Sequence, residues 1–259
     1  MSDIKIIFFD IDGTLLDPDT GCISPKHAQL LHKLEARGIK RCIVTGRPTV
    51  GLPDLSGLPL DAIATFNGCF CQAGDQVIYS NPIDPGDVEI ILGNAAALGR
   101  PVSIALKDRM AANGIDQDLY DYYQHASALL TVADDFEEAR KEDIYQIMLG
   151  SRESEHAAIL ENTKQVKLAI SWDRAVDVIP LTGGKGSTVQ SVLDHFHLDP
   201  SEAMAFGDSL NDVEMLQAVG TAVAMGNAVP QLKALAHDVC GPVSEDGIYH
   251  YCVAHGLID

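Results

Sequence analysis

Basic side chains are scarce in this chain. Its 259 residues carry 18 Lys and Arg against 37 Asp and Glu, a formal net charge of −19. No basic run interrupts that excess. Nucleic-acid binding rests on neutralising phosphates with Lys and Arg, so a nucleic-acid partner is excluded, and an anionic membrane surface is disfavoured for the same reason. A phosphorylated ligand would be repelled too, unless a metal, a few cations and backbone N–H groups form a local exception. Cysteine is present without a pattern. None of Cys22, Cys42, Cys69, Cys71, Cys240 and Cys252 forms a Cys-x-x-Cys pair, and no second ligand cluster accompanies Cys69 and Cys71. They read as small buried apolar residues in a reducing compartment. Long hydrophobic runs are missing as well. Ile6 to Phe9 is cut short at Asp10, below the ~7–15 residues of a leader, and nothing approaches the ~18 of a spanning helix. The expectation is a cytoplasmic protein without a membrane partner. With 46% hydrophobic and 21% charged residues, the chain has material for one large domain or two unequal ones.

What is there reads as an α/β rhythm. Ile4–Phe9 is a short apolar run of the kind found in buried parallel strands. Ser24-Pro25 marks a helix start, Leu30, Leu31 and Leu34 a helical face, and Gly38 its end. Strands follow at 39–44 and 62–66. Beyond the turn-rich Asn81–Gly86 the pattern changes: a helix over 87–98, a strand over 102–106, a helix over 118–129, a strand over 144–149, a helix over 153–162, then strands over 166–171 and 175–179. The opening rhythm returns with a helix over 187–197 and strands over 203–206 and 221–224. One α/β core interrupted at about residues 81–180 by an α+β unit fits this order.

In open α/β sheets, ligands bind beyond the carboxyl ends of strands, and here those ends carry Asp10, Thr45, Asn67 and Asp208. Asp10-Ile11-Asp12-Gly13-Thr14 sets two carboxylates at a rigid strand tip, with Gly13 allowing the turn. The alternatives are a strand-ending cap or a calcium loop; the latter lacks its closing Glu, since Gly21 stands there. Thr45-Gly46-Arg47 offers a hydroxyl and backbone N–H groups to an anion, or is a plain turn and helix cap. Gly183-Gly184-Lys185-Gly186-Ser187 lets backbone and a point charge approach a phosphate; it is not a Walker loop, and a linker lysine is the alternative. In Gly207-Asp208-Ser209-Leu210-Asn211-Asp212, two acids four apart suit a hard cation and its surroundings, or cap a helix.

Taken together, in order and spacing, these pieces resemble the four signature motifs of the haloacid dehalogenase superfamily. The insertion sits where class II members place a cap, and its make-up is similar to the subtype B cap of the Cof-type phosphatases. Asn67-Gly68, Ala222–Ala228 and Glu245-Asp246-Gly247-Ile248 are similar to that subfamily too. The resemblance implies a Rossmann-like core with a parallel sheet, discontinuous over residues 1–80 and 181–259. It also implies an inserted α+β cap at 81–180 that sets specificity.

The resemblance further implies a magnesium-dependent phosphatase for small phosphorylated metabolites, sugar phosphates or related, working through an aspartyl-phosphate. Asp10 would be nucleophile and metal ligand. Asp12 would be general acid and base, with its carbonyl on the metal, and Asp208 would complete the ligands. Thr45, Gly46, Lys185 and Asn211 would hold phosphoryl oxygens, with Asp212, Arg47 and Asn67 in support. Several carboxylates in one crevice repel one another and hold protons, which a divalent cation reverses. An oxygen-rich set without a His or Cys cluster suits magnesium better than zinc. The rivals are a phosphomutase or phosphotransferase, a dehalogenase with no need of Asp12 or magnesium, and a non-catalytic phospho-ligand sensor.

Overall fold

The computed structural model describes residues 4–125 and 128–259, without the side chains of His125 and Ser171. Its central sheet is built from the short apolar runs. Edge to edge the strands are Asp238–Val239, Thr221–Ala224, Ala203–Gly207, Ile6–Phe9, Lys40–Val44, Ala62–Thr65, Phe70–Ala73 and Gln76–Ser80. The first six are parallel. A sheet of this kind has both faces covered, so its strands are continuously apolar, and every residue of Ile6–Phe9 is buried. Phe9 lies opposite Phe206 on one side and Ile43 on the other, and the Phe9 and Phe206 rings stack 5.7 Å apart. This level register brings the residues just after the strands out along one edge.

Helices close the faces. Pro25–Ala36 starts at Ser24, whose hydroxyl accepts from the His27 N–H at 3.0 Å, and buries Leu30, Leu31 and Leu34. Lys185–Phe196 begins straight after Gly184, which has φ +119°. That conformation favours glycine.

The sheet is not wholly parallel. Phe70–Ala73 and Gln76–Ser80 run antiparallel. Gly74 and Asp75 form a two-residue turn between Ala73 and Gln76, with Gly74 at φ +56°, the backbone a tight hairpin requires.

A second sheet follows, ordered Val166–Trp172, Ala175–Pro180, Ile144–Gly150, Val102–Leu106 and Met110–Ala112, all antiparallel. Its strands alternate. Val102, Ile104, Ile147, Leu149, Val176 and Val178 pack with Val88, Ile91 and Leu92 of the helix Pro85–Ala97. Ala105, Tyr145, Met148 and Ile179 turn the other way and pack with Leu119 and Tyr123 of the helix Gln117–His125, and with Phe66 and Phe70 of the central sheet. One face therefore meets the helix Pro85–Ala97, and the other meets both the helix Gln117–His125 and the strand ends of the larger sheet. The chain passes between the sheets at residues 81–84 and 181–184.

The helix expected over 153–162 is shorter. A 3₁₀ turn at Glu153–Glu155 and a helix at His156–Ile159 replace it, and Asn162, at φ +62°, turns the chain toward the next strand. Among the described residues no helix is long and apolar enough to cross a membrane.

Candidate active site

The strand ends converge on a buried lysine. Lys185, 1% exposed, donates from Nζ to Asp10 Oδ1 and to Asp212 Oδ1, both at 2.6 Å. Asp212 is held in turn: its Oδ2 accepts from the backbone N–H groups of Asp208 and Ser209 at 2.9 and 3.0 Å. Asp208 accepts from the hydroxyls of Thr14 and Ser209. Two glycines make this approach possible. A Cβ on Gly13 would lie 2.5 Å from Asp208 Oδ2, and one on Gly207 would meet the Asp212 side chain at 2.7 Å. Asn227 steadies the loop by donating to the Gly13 carbonyl at 2.8 Å.

Asp12 points elsewhere. Its two oxygens accept from Arg47 Nε and Nη2 at 2.8 and 2.7 Å, while Arg47 Nη1 donates to the Gly51 carbonyl. This is a two-bond fork, the strongest guanidinium–carboxylate geometry. The Asp12 side chain is 44% exposed, so it stands at the mouth of the crevice, with Asp10 at its floor.

Thr45 is buried, and its hydroxyl accepts from the Arg47 N–H at 3.1 Å. Beside it, Gly46 leaves room for Asn67, whose Oδ1 would lie 3.1 Å from any Cβ there. Asn67 Oδ1 accepts from Asn211 Nδ2 at 3.1 Å. Asn67, Lys185 and Asn211 line one cavity of about 210 Å³, closed on the far side by Lys167, Ala169 and Ile179 of the second sheet.

The electrostatics are short of positive charge. Burial, opposed by Lys185 and reinforced by Asp212, Asp208 and Asp12, raises the Asp10 carboxyl well above its usual range. Burial, with Asp212 beside it, pushes Asp208 up to about 7. For Lys185 burial works against the charge, but Asp10 and Asp212 outweigh it and hold the ammonium firmly protonated. Carboxylate oxygens of Asp10, Asp208 and Asp212 lie within 4.8 Å of one another. Three acids share one lysine, and hard oxygen donors at this spacing suit a divalent cation such as magnesium. Asp212 has Lys185 on one oxygen and two N–H groups on the other, so Asp10 and Asp208 are the side chains better placed to face a metal.

Two features escaped the sequence reading. One is the fork that ties Arg47 to Asp12. The other is a group from the second sheet: Asp177 and Gln146 accept from Asn67 Nδ2 at 2.9 and 3.3 Å. A signal existed, since Asp177 interrupts the apolar run Ala175–Ile179. The sequence offers Lys107, Arg109 and His125 as candidates to face the crevice, each more often an ordinary solvent-facing residue, and the first two are engaged elsewhere. Lys107 lies over the Phe70 ring, and Arg109 pairs with Asp135 and Glu142 at an exposed position. The side chain of His125 lies outside the described residues.

Comparison with known proteins gives a consistent result. The family model described as haloacid dehalogenase-like hydrolase matches residues 7–252. The chain is 32% identical over 262 residues to YkrA of Bacillus subtilis (strain 168), a protein that carries a phosphatase name, covering 99% of both. It is 27% identical to the HMP-PP phosphatase of Cronobacter sakazakii (strain ATCC BAA-894), covering 94% of this chain and 92% of that one. Its structure superposes on that of a sugar phosphatase of HAD subclass IIB with a TM-score of 0.90 at 29% identity, covering 98% and 100%.

Proposed function

We propose, from the premise that this chain belongs to the haloacid dehalogenase-like hydrolases as a phosphatase of their Cof type, that it hydrolyses small phosphorylated metabolites with magnesium and an aspartyl-phosphate on Asp10. Sugar phosphates or related esters are the proposed substrates. The observation that carries this reading is Lys185 held between Asp10 and Asp212 in a buried crevice. A nucleophilic carboxylate has to be ionised, and the lysine favours that form.

Each residue then has a task. Asp10 Oδ attacks phosphorus, the ester P–O bond breaks, and its electron pair stays on the leaving oxygen. Asp12 gives that oxygen a proton, then takes one from the water that attacks phosphorus of the aspartyl-phosphate. This second step releases phosphate and restores the Asp10 carboxylate. To reach the leaving oxygen, Asp12 has to release one of its two bonds to Arg47, because the fork turns both carboxyl oxygens toward the guanidinium. Lys185, Thr45, Gly46 and Asn211 hold phosphoryl oxygens, and Arg47, Asn67 and Asp212 support them. A magnesium ion held by Asp10, Asp208 and the Asp12 carbonyl would offset the negative charge of carboxylates and phosphoryl group alike.

Residues 1–80 and 181–259 form the catalytic core in this reading, and residues 81–180 form the cap that selects the substrate. A cavity of about 210 Å³ roofed by that unit favours a small leaving group, in keeping with the sugar phosphatase and HMP-PP phosphatase names of the relatives. The acidic surface argues against nucleic acid and fits a metabolite enzyme of the cytoplasm. A panel of phosphorylated sugars, nucleotides and cofactors, assayed for phosphate release, tests the proposal. Turnover of sugar phosphates or related small esters is expected. Transfer to a second sugar hydroxyl in place of water would mark a phosphomutase, and tight binding without product a sensor.

A further inference from the structure

One carboxylate stands apart from the acid cluster. Asp177 lies in the strand Ala175–Pro180 and is 3% exposed. Its Oδ1 accepts from the Tyr122 hydroxyl and its Oδ2 from Asn67 Nδ2, both at 2.9 Å, and Gln146 lends a further bond. No cation pairs with it among the salt bridges of the described residues. Taking an unpaired carboxylate out of water is unfavourable, and burial pushes Asp177 up to about 6. An apolar residue would suit this strand better on packing grounds. Violations of that kind concentrate where function demands them.

The group Asp177 acts on is Asn67. Phe66 and Asn67 both have left-handed backbone, at φ +55° and +53°, which is uncommon for non-glycine residues and persists only where the surroundings enforce it. Here they do so from two sides. The N–H groups of Phe66 and Asn67 donate to the carbonyls of Arg47 and Thr45, each at 2.9 Å. From the second sheet, the Tyr145 ring stacks on Phe66 at 5.2 Å. The strained turn aims the Asn67 carboxamide between the two sheets. On the far side it meets two acceptors, Asp177 Oδ2 and Gln146 Oε1, so its NH₂ end has to face them. Its oxygen is thereby turned to Asn211, which commits the Asn211 NH₂ in turn.

We propose that Asp177 is a positioning residue for the phosphate pocket. From the second sheet it fixes the Asn67 carboxamide, and through Asn67 it fixes Asn211. The phosphoryl-binding end of the site is complete only with that sheet seated over it. This rests on the reading of Asn211 as a phosphate-binding group.

Inorganic phosphate is the probe, titrated calorimetrically into the full chain with magnesium present, alongside KM and kcat for an aryl phosphate. Asp177→Asn keeps the size of the side chain but no longer dictates which end of Asn67 faces it. Phosphate Kd and KM should rise about tenfold, the scale of one hydrogen bond, with kcat changed less than about twofold. Asn67→Ala should give the same rise, and the double variant no more than Asn67→Ala alone, as coupled residues require. Tyr122→Phe leaves the Asn67 side untouched and should shift Kd by under about twofold. If Asp177→Asn does not fold, Gln146→Met removes the second acceptor instead, with a rise of about threefold expected. An unchanged phosphate Kd in the variant used overturns the proposal, as do losses that multiply in the double variant. The hydrolytic mechanism is read separately: turnover persisting in Asp10→Asn would sink it, while the phosphate titration still decides the role of Asp177. A native chain that binds no phosphate overturns both.

Discussion

Two acidic clusters in this molecule invite comparison. On the second sheet, Arg100 meets Asp116, Asp118 and Glu155, and Arg152 and Arg174 add bonds to Asp118 and Asp121. Each acid there has an arginine, Asp118 is held below its usual range chiefly by Arg152, and water reaches the edges. Around Lys185, the buried Asp10 and Asp212 and the half-buried Asp208 share one cation, and Asp10 and Asp208 are raised. The arginine cluster sets three arginines against four acids, so every acid has a cation and one negative charge is left at its wet edge. The lysine cluster sets three carboxylates against one ammonium and is two charges short, and that larger deficit, away from water, marks the cluster with more to gain from a bound cation.

The widest separation between the two should come from metal removal. A chelator should abolish phosphate release and magnesium should restore it, with Asp208→Asn shifting the magnesium response to higher concentration. Undiminished turnover in chelator would erase the distinction. Next in size is Asp12. A sugar alkoxide leaves poorly and needs a proton, whereas an acidic phenol leaves unaided. Asp12→Asn should therefore slow phosphoenzyme formation about 10²–10⁴-fold for sugar phosphates and far less for aryl phosphates, measured in single turnovers. Equal losses would show that Asp12 acts through local geometry instead.

Asp177 sharpens the contrast, because it too is buried without a cation. Its carboxyl is raised from 3.8 to about 6, so the folded state holds the proton more tightly than the unfolded one. Below about pH 4 both states are protonated and the group is neutral toward folding. The penalty grows as pH rises and is complete above about pH 6, reaching about 3 kcal/mol for a shift of about two units. Relative to the native chain, Asp177→Asn should gain about that much stability between pH 4 and pH 7, followed by urea unfolding. A difference that does not change with pH would contradict the unpaired state of Asp177. The smallest effect belongs to the arginine cluster. Arg100→Met should lower the melting temperature by about 2–4 °C, as for a loss near 1 kcal/mol, and leave kcat unchanged.

Much of this architecture was legible because its signals are local. A run such as Ile6–Phe9 announces a buried strand by composition, and the polar residue that follows announces the crevice. Asp10, Lys185 and Asp208 could be placed in one site because strand ends in such sheets converge. The hairpin at Phe70–Ser80 was less visible, since its strands mix apolar with polar residues and only Gly74-Asp75 marks the turn. Least legible were contacts whose partners lie far apart in the chain. Asn67 and Asp177 are separated by 110 positions, and Arg47 and Asp12 by 35. No periodicity encodes such pairs; they follow from how two sheets are seated, which packing decides.

Seating of that kind limits how the molecule can be taken apart. Phe66 and Phe70 of the larger sheet share an apolar cluster with Ala105, Leu119, Tyr123, Tyr145, Met148 and Ile179 of the smaller one. A relative's unit spliced in at the two crossings would thus have to match this apolar interface. Without a ring matching Tyr145, the left-handed turn at Phe66 would lose the weight that holds it. Exchange of this unit between such proteins is therefore a problem of paired surfaces, in which the donor segment and the turn after Thr65 have to travel together.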